Sequence, residues 1–555
     1  MIITNIYERL PLFKLQEIVG TPQLEDVRGV LEALNDSTLN PGLIYTKGFL
    51  AAYARSNLNV MYLFSPEGAF ELLNTLSDNE AMGLAAAIGE ADSHLSRDDF
   101  IALAVRLMRT HEFRKPMADF LGLGEFINFD SKVIKLPSSI EYAPIQLPYK
   151  PLKDYQFEVY FQANEKLVNI DCRFILQMPT GSGKTRTAIE IVCEYLNNHP
   201  NGSVIWLAHS TELCDQASEC FSEVWPHLAK RHLNFHRHYG AHKLEPIADK
   251  RIDFLCSSFQ SLLTRVDKNP ESLSGFFGVD RLIVVDEAHK VVAPTYQRVT
   301  RALLSDGAAV IGLTATPGRS YGALNTNEEN RALSDFFFNT HISFNPHGQS
   351  AIQYLRNKGV LAQADFEPLM ISGENLVLTN KELEYVSRMF ELPPELLTRL
   401  GKSHLRNAEI LNKLIDLVRD GVSKSTIFFA TSLEQSKLIS SLLNFMGVYA
   451  CHIDGSTPSL LRQELIKKFK TQEINVLCNY EVLATGFDAP LVDCVFIARP
   501  TASVVLYSQM IGRGLRGPAI GGKPKCRIVN VKDNILNLPS IDAMYSIFDE
   551  YWVQN

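Results

Sequence analysis

The segment from Met178 to Thr185, MPTGSGKT, has the residue types and spacing that bind nucleotide phosphates. Its glycines allow backbone N–H groups to surround a phosphate at the N-terminus of a helix that is predicted to open near Lys184. Lys184 would contact the β- and γ-phosphates of ATP, and Thr185 would hold Mg²⁺. Met178 stands where the strict motif has glycine, and a plain glycine-rich turn is the alternative. The predicted ATP-binding residues of this loop are Thr180, Gly181, Ser182, Gly183, Lys184 and Thr185.

Two adjacent carboxylates, Asp286 and Glu287, directly follow the apolar run at 282–285. At the end of a buried strand, Asp286 can bind Mg²⁺ through water, and Glu287 can orient and deprotonate an attacking water molecule. An ordinary acidic turn at a strand end is the alternative, because tetrapeptides such as DEAH are common. The phosphate loop and the carboxylates each follow a buried strand, so together they predict one site for ATP and Mg²⁺.

Short apolar runs that alternate with amphipathic stretches must position these residues. Such runs are typical of strands that are buried on both faces, in parallel sheets with helices on either side. The first series predicts strands at 173–177, 203–208, 253–256, 282–285 and 309–313. The second series predicts strands at 425–430, 449–453, 474–478, 494–498 and 526–531. Two series predict two α/β lobes.

The predicted domains meet at a proline-rich stretch. Residues 136–151 hold four prolines and are predicted to form a semi-extended linker. Before it, apolar residues at three- and four-residue spacing predict an all-helical N-terminal domain at 1–135. After it, we predict the first lobe at 152–345, an inter-lobe connection with a helical segment at 346–424, and the second lobe at 425–555.

Acidic charge is concentrated in the N-terminal part. Residues 1–145 hold 12 Lys and Arg against 19 Asp and Glu, which accounts for −7 of the net charge of −8. The near-neutral remainder can still carry a basic groove, whereas the acidic part is a poor binder of phosphate. We therefore predict that residues 1–135 dock a protein partner or the lobes themselves, with a fixed structural brace as the alternative.

Four further segments carry a family resemblance. They are KDYQ at 153–156, LTATPGR at 313–319, ATGFDAP at 484–490 and QMIGRGLR at 509–516. With the phosphate loop and DEAH, they resemble the Q-motif and motifs III, V and VI of the superfamily 2 DEAD/DEAH-box helicases, over roughly residues 150–535. Within that superfamily, residues 355–361 and 491–516 resemble the group of bacterial RadD, XPB-like helicases and restriction-enzyme motors. The resemblance implies a P-loop NTPase with two RecA-like lobes.

The resemblance also implies roles outside the phosphate loop. Gln156 would read adenine. Arg513 and Arg516 would stabilise charge on the γ-phosphoryl oxygens during hydrolysis, because a guanidinium is planar and always charged. These arginines lie on the second predicted lobe, so the ATP site would be complete only when the lobes close. Further implied residues are Gly486 and Asp488 for ATP binding, and His289, Thr314, Thr316 and Gln509 for coupling ATP to the polymer.

Nucleic-acid contacts are implied for small hydroxyl and amide side chains, which suit phosphate and sugar contacts that do not read sequence. The implied residues are His209, Ser210, Thr211, Ser257, Ser258, Gln260, Thr431 and Thr485. For each serine, an ordinary loop cap is the alternative.

An ATP-dependent translocase or helicase is the function that these residues predict, on DNA in preference to RNA. Its predicted setting is DNA repair or phage defence, where it would act alone or as the motor subunit of a multi-protein system. The alternative is a regulatory NTPase switch that signals to a partner without moving along a polymer. The sequence has no apolar stretch of 18 residues, no export signal and no CxxC pair among its nine cysteines. We therefore expect a cytoplasmic protein without a membrane span.

Overall fold

The computed structural model describes both lobes and most of the N-terminal helices. The described residues are 6–34, 41–54, 65–90, 96–107, 111–121, 139–142, 149–169, 172–240, 242–244, 252–268, 277, 280–304, 308–318, 326–346, 348–371, 379–389, 392–457, 459–484, 486–487, 489–501 and 503–532. Thr485 and Asp488 lie outside these ranges. Within the ranges, no helix is long and apolar enough to cross a membrane.

Eight strands form the sheet of the first lobe. They are β1 (Ser139–Tyr142), β2 (Arg173–Gln177), β3 (Ser203–Ala208), β4 (Leu233–His238), β5 (Phe254–Ser258), β6 (Arg281–Asp286), β7 (Ala309–Thr314) and β8 (His341–Ser343). Their order is β1-β4-β5-β3-β6-β7-β2-β8, and every neighbouring pair is parallel except β1 with β4. Because β6, β7 and β2 are adjacent and parallel, their carboxyl ends meet at one edge of the sheet, and the loops that follow them lie side by side.

Six parallel strands form the sheet of the second lobe. They are β9 (Gln363–Met370), β10 (Thr426–Phe429), β11 (Ala450–Ile453), β12 (Val476–Asn479), β13 (Cys494–Ile497) and β14 (Lys525–Lys532). Their order is β11-β12-β10-β13-β14-β9. The predicted α/β architecture with two parallel-sheet lobes after a helical region is confirmed.

Three strands at sheet edges lie where the sequence predicts none. β1 falls inside the predicted linker, β8 has only three residues, and β9 falls inside the predicted inter-lobe connection. Every side chain of β9 is exposed or half-buried, because an edge strand is not covered as a central strand is and needs no unbroken apolar run. The second sheet therefore begins before residue 425, and part of the linker belongs to the first sheet.

Helices cover the sheets and form the N-terminal region. The N-terminal helices are α1 (Leu12–Val19), α2 (Thr21–Ala33), α3 (Pro66–Leu73), α4 (Asp78–Ala87), α5 (Arg97–Leu107) and α6 (His111–Phe120). Those of the first lobe and the connection are α7 (Asp154–Leu167), α8 (Lys184–Asn198), α9 (Thr211–Leu228), α10 (Phe259–Lys268), α11 (Pro294–Leu303), α12 (Thr326–Phe336) and α13 (Ala351–Asn357). The remaining helices are α14 (Asn380–Met389), α15 (Pro394–Gly401), α16 (His404–Arg419), α17 (Leu433–Phe445), α18 (Ser459–Lys470) and α19 (Val504–Ile511).

The N-terminal helices pack on the second lobe. Their buried apolar side chains and those on one face of the second lobe form one continuous cluster. Phe49 meets Phe445 of α17 edge to face at 4.9 Å between ring centroids, and His404 Nε2 of α16 lies 3.4 Å from Asp26 Oδ1 of α2. Because apolar area is removed from water on both sides, this contact stabilises the helices and the lobe together.

Candidate functional site

The phosphate loop runs from the end of β2 to the start of α8. Gly181 and Gly183 have φ of 88° and 89°, a left-handed conformation that glycine adopts without steric cost. The Met178 side chain is fully buried in the core, and its backbone N–H donates to Thr314 O at 3.2 Å. Glycine therefore occupies the two loop positions that have positive φ, and Met178 at the first position packs in the core.

Gln156 and its neighbour Tyr155 hold the loop from the start of α7. The Gln156 amide donates to Ser182 O and Gly183 O at 3.3 and 3.4 Å, and its Oε1 accepts from Lys153 N at 3.0 Å. The Tyr155 hydroxyl donates to Ser182 O at 2.7 Å. Sequence reasoning singled out Gln156 and missed Tyr155, although the tyrosine is visible beside the glutamine in KDYQ.

Asp286 and Glu287 lie at the carboxyl end of β6, next to the phosphate loop. Lys184 Nζ is 3.8 Å from Glu287 Oε1, and His289 Nδ1 is 3.4 Å from Glu287 Oε2. Glu287 has a positive φ of 52°, a conformation that costs a non-glycine residue on the order of 1 kcal/mol. The structure therefore brings Lys184, Glu287 and His289 together, in a backbone conformation that is rare for glutamate.

The two carboxylates differ in pKa although they are adjacent. Burial raises the pKa of Asp286 to about 6, against the opposing effect of Lys184. Burial also disfavours the charge of Glu287, but Lys184 and then His289 outweigh it and lower the pKa of Glu287 to about 2. Burial lowers the pKa of His289 to about 3. At neutral pH, Glu287 is therefore an anion that can accept a proton, beside a neutral imidazole.

Thr185 on the first turn of α8 and Asp286 at the end of β6 would provide oxygen donors for Mg²⁺. A carboxylate and a hydroxyl, with water and substrate phosphate for the other positions, are the donors that Mg²⁺ takes in nucleotide sites. The raised pKa of buried Asp286 fits this ion, because a divalent cation supplies positive charge beside that carboxylate. The described residues contain no cluster of three or more His, Cys, Asp or Glu that could hold a metal alone.

Three of the four residues predicted to couple ATP to the polymer lie next to this site. His289 Nδ1 is 3.5 Å from Thr314 Oγ1 at the end of β7. The Thr314 hydroxyl donates to Thr316 O at 2.8 Å, and Thr316 N donates back to Thr314 Oγ1 at 3.1 Å. A short chain of polar contacts therefore links Glu287 to the segment after β7. The other predicted coupling residue, Gln509, is buried in α19 of the second lobe.

The two arginines of the second lobe have different contacts. Arg516 crosses between the lobes, and its Nη1 donates to Gly181 O at 2.9 Å. Arg513 contacts its own lobe, where Nη1 donates to Phe487 O and Nε donates to Gln509 O at 3.2 Å. The structure thus brings Arg516 to the phosphate loop, whereas Arg513 holds the segment next to Gly486.

A second contact between the lobes lies at the start of α9. Arg462 Nη1 of α18 donates to Glu212 Oε1 at 2.6 Å. A Cβ built on Gly486, which has φ of 65°, would lie 2.5 Å from Glu212 Cβ. Gly486, predicted to bind ATP, therefore lies against the first lobe at α9. Sequence reasoning missed Glu212 and Arg462, because two charges separated by 250 positions give no local signal.

Four of the eight predicted nucleic-acid residues have side-chain contacts within the protein. Ser210 caps α9 by accepting from Leu213 N at 3.3 Å, and Ser258 accepts from Ser261 N at 3.2 Å. Ser257 and Thr431 are buried, donating to His238 O at 2.8 Å and to Gln435 Oε1 at 3.0 Å. The loop-cap alternative thus describes Ser210 and Ser258.

The remaining described residues of that set differ in exposure. Thr211 and Gln260 are exposed at the starts of α9 and α10. His209 is half-buried, and burial lowers its pKa to about 4. Thr211 and Gln260 are therefore accessible to a polymer, whereas Ser257 and Thr431 are buried.

Comparison with known proteins identifies both lobes. Residues 149–319 match the family described as type III restriction enzyme, res subunit, and residues 408–517 match the helicase conserved C-terminal domain. IRC3 of Saccharomyces cerevisiae, whose name describes an ATP-dependent helicase, is 27% identical over 387 residues, covering 68% of this chain and 51% of that protein. A 51.5 kDa protein of a Lactococcus phage is 25% identical over 343 residues, covering 62% of each chain. The solved structure of the ATP-dependent type ISP restriction-modification enzyme LlaBIII bound to DNA has a TM-score of 0.48 and 18% identity, over 73% of this chain and 29% of that one.

The two matched segments are helicase domains, and the chain is similar to the superfamily 2 helicases over these segments. It carries the two RecA-like lobes of an ATP-dependent helicase, with the helical region packed on the second of them. It spans about half the length of the yeast relative and less than two thirds of the phage relative.

Proposed function

We propose that the protein hydrolyses ATP between its two lobes and uses the cycle to move along DNA. The observation that carries this proposal is Arg516 of the second lobe at Gly181 of the phosphate loop, 2.9 Å away, on the same loop that leads to Lys184. Glu287, an anion beside Lys184, would take a proton from water as its oxygen attacks the γ-phosphorus. ADP leaves with the electrons of the broken bond, and Arg516 stabilises the charge on the transferred group.

Mg²⁺ bound by Thr185 and Asp286 would neutralise phosphate charge. Lys184 would hold the phosphates, and Gln156 and Tyr155 would fix the loop through Ser182. Because these residues lie on the first lobe and Arg516 on the second, hydrolysis would require the lobes to be together.

Movement along a polymer requires that lobe separation also change a nucleic-acid surface. Glu212, which contacts Arg462 and Gly486 of the second lobe, follows Ser210 and exposed Thr211 in sequence. We infer that opening the ATP site also breaks this contact beside the polymer. The coupling is then geometric, because one rigid-body motion alters both places.

The choice of DNA is supported by the restriction-enzyme family that matches the first lobe. Repair or phage defence is the proposed setting, and one of the similar proteins belongs to a phage. We also propose that the acidic N-terminal helices, which pack on the second lobe, offer their outer surface to a protein partner and not to DNA.

The test is the ATPase rate of the full chain with single-stranded, duplex and forked DNA and with RNA. We expect strong stimulation by DNA, weaker stimulation by RNA, and loss of stimulation as salt rises from about 50 to 200 mM. Glu287→Gln serves as the blank for contaminating ATPases. Stimulation by RNA alone would overturn the choice of DNA. An ATPase that no nucleic acid stimulates would favour the regulatory switch.

A further inference from the structure

We propose that the connection between the lobes is a positioning element for Arg516, and that Leu361 is its positioning residue. The connecting segment is residues 359–363, which follow α13 and end at the first residue of β9. The inference rests on the proposed function, since it concerns the guanidinium that would stabilise the transferred phosphoryl group. Leu361 has an aliphatic side chain, so it would act only through the position of Arg516.

Backbone pairing fixes Leu361 opposite Arg516. Gly517 N donates to Val360 O at 2.9 Å, and Ala362 N donates to Leu515 O at 3.1 Å. Leu361 and Arg516 face each other between these bonds as an antiparallel bridge. In an antiparallel ladder, a facing pair flanked by its hydrogen bonds has its Cα atoms about 4.5 Å apart and its side chains close together on one face.

Both side chains reach the same glycine of the phosphate loop. The Arg516 guanidinium donates to Gly181 O at 2.9 Å. A Cβ built on Gly181 would lie 3.2 Å from Leu361 Cδ2 and 3.6 Å from Arg516 Nη1. Leu361 is 3% exposed, so its buried apolar side chain excludes water on one side of the guanidinium. This packing limits where the long arginine side chain can lie and keeps water away from its hydrogen bond to Gly181 O.

The segment is held on both lobes. On the second lobe, Ala519 N donates to Gly359 O and Gln363 N to Pro524 O, both at 2.9 Å. On the first lobe, Tyr354 of α13 packs on Phe344 at 4.9 Å between ring centroids. The chain passes from one attachment to the other at Gly359, where φ is 66°. Relative motion of the lobes is therefore transmitted to the Leu361–Arg516 pair.

The test is the ATPase of the full chain carrying Leu361→Ala. We expect kcat to fall by about tenfold or more, while the KM for ATP changes by less than about threefold, because ATP is held by the first lobe. Leu361→Met, which keeps the volume, should recover most of the rate. Ile528→Ala in β14 is the control: it removes buried apolar volume from the core of the second lobe, so it should lower Tm and spare kcat. If Leu361→Ala does not fold, Leu361→Val is the smaller truncation, with the same expectation for kcat against KM.

A double-mutant cycle separates this inference from the proposed function. With Arg516→Ala already present, Leu361→Ala should cause no further loss of kcat, because the two residues act as a unit. Equal losses in both backgrounds, or a loss of Tm without a loss of kcat, would overturn the role of Leu361 and leave the ATPase proposal standing. An Arg516→Ala variant with wild-type kcat would instead remove the arginine from catalysis, and the proposed mechanism with it.

Discussion

At the scale of single residues, the site depends on two carboxylates of adjacent residues that differ in pKa. Burial raises the pKa of Asp286 to about 6, whereas the charge of Lys184 keeps Glu287 ionised despite burial. Environments that push neighbouring pKa values apart commonly mark different chemical roles. The assignment of roles rests on position: we propose Glu287, whose carboxylate lies between Lys184 and His289, as the proton acceptor, and Asp286 as the metal ligand.

Affinity for Mg²⁺ should depend on pH through Asp286. Its pKa is raised to about 6, so below pH 6 the carboxyl is protonated and a proton must leave before the metal binds. We expect the Mg²⁺ requirement for ADP binding to rise about tenfold per pH unit below 6 and to level off above 7. Asp286→Asn is the control, because asparagine does not titrate. The pH dependence of the Mg²⁺ requirement that remains in this variant comes from protonation of the nucleotide itself. An equal slope in both proteins would contradict the assignment.

Lys184→Ala and Glu287→Gln should both abolish turnover for different reasons. Lys184 contributes charge to phosphate binding, so its loss should weaken ATP affinity by about tenfold or more. Glu287→Gln keeps the loop intact and should hold ATP with the lobes closed and nucleic acid bound more tightly. Equilibrium binding of a fluorescent ATP analogue and a single-turnover assay separate the two. Near wild-type hydrolysis by Glu287→Gln would show that another group accepts the proton.

At the scale of elements, apolar central strands could be predicted from the sequence, whereas the edge strands β1, β8 and β9 and the polar strand β4 could not. The runs at 173–177 and 203–208 coincide with β2 and β3, because strands covered on both faces must be apolar throughout. β9 carries Asp365 and Glu367 on an exposed edge and leaves no such signal. The sequence motifs singled out Lys184, Glu287 and Arg516. Contacts made by Tyr155 and Leu361, and between Glu212 and Arg462, depend on packing between distant segments.

The phosphate loop should not tolerate a side chain at Gly183. A methyl group there would be strained at φ of 89° and would collide with the Gln156 amide, which holds the loop. We expect Gly183→Ala to cost the protein about 1–3 kcal/mol and to abolish ATP binding. Gly421→Ala is the matched control, because Gly421 also has a positive φ, 68°, with nothing within 4 Å. It should lower Tm modestly and leave nucleotide binding unchanged. Equal ATP affinity in the two variants would contradict the proposed geometry.

At the scale of the whole molecule, the N-terminal helices and the second lobe share one apolar cluster. Opening and closing of the ATP site would therefore carry the helices with the second lobe, as one body. Their acidic character, −7 over residues 1–145 from 12 basic and 19 acidic residues, moves with that lobe too. Any partner held by the helices would then be displaced relative to the first lobe once per ATP.

One methyl group should weaken the contact between the N-terminal helices and the second lobe. Gly29 of α2 lies against the His404 ring of α16, and a Cβ at that position would overlap several ring atoms. Gly29→Ala should therefore break the contact between His404 and Asp26 and destabilise the protein by about 1–3 kcal/mol, outweighing the helical gain of roughly 0.5–1 kcal/mol from alanine. Gly48→Ala, with nothing within 4 Å of the new Cβ, should keep only that gain. Thermal unfolding of both variants and of Gly29→Ala with His404→Ala measures the effect. If the double variant is no more stable than Gly29→Ala alone, the strain does not arise at His404, and the helices are held to the lobe elsewhere.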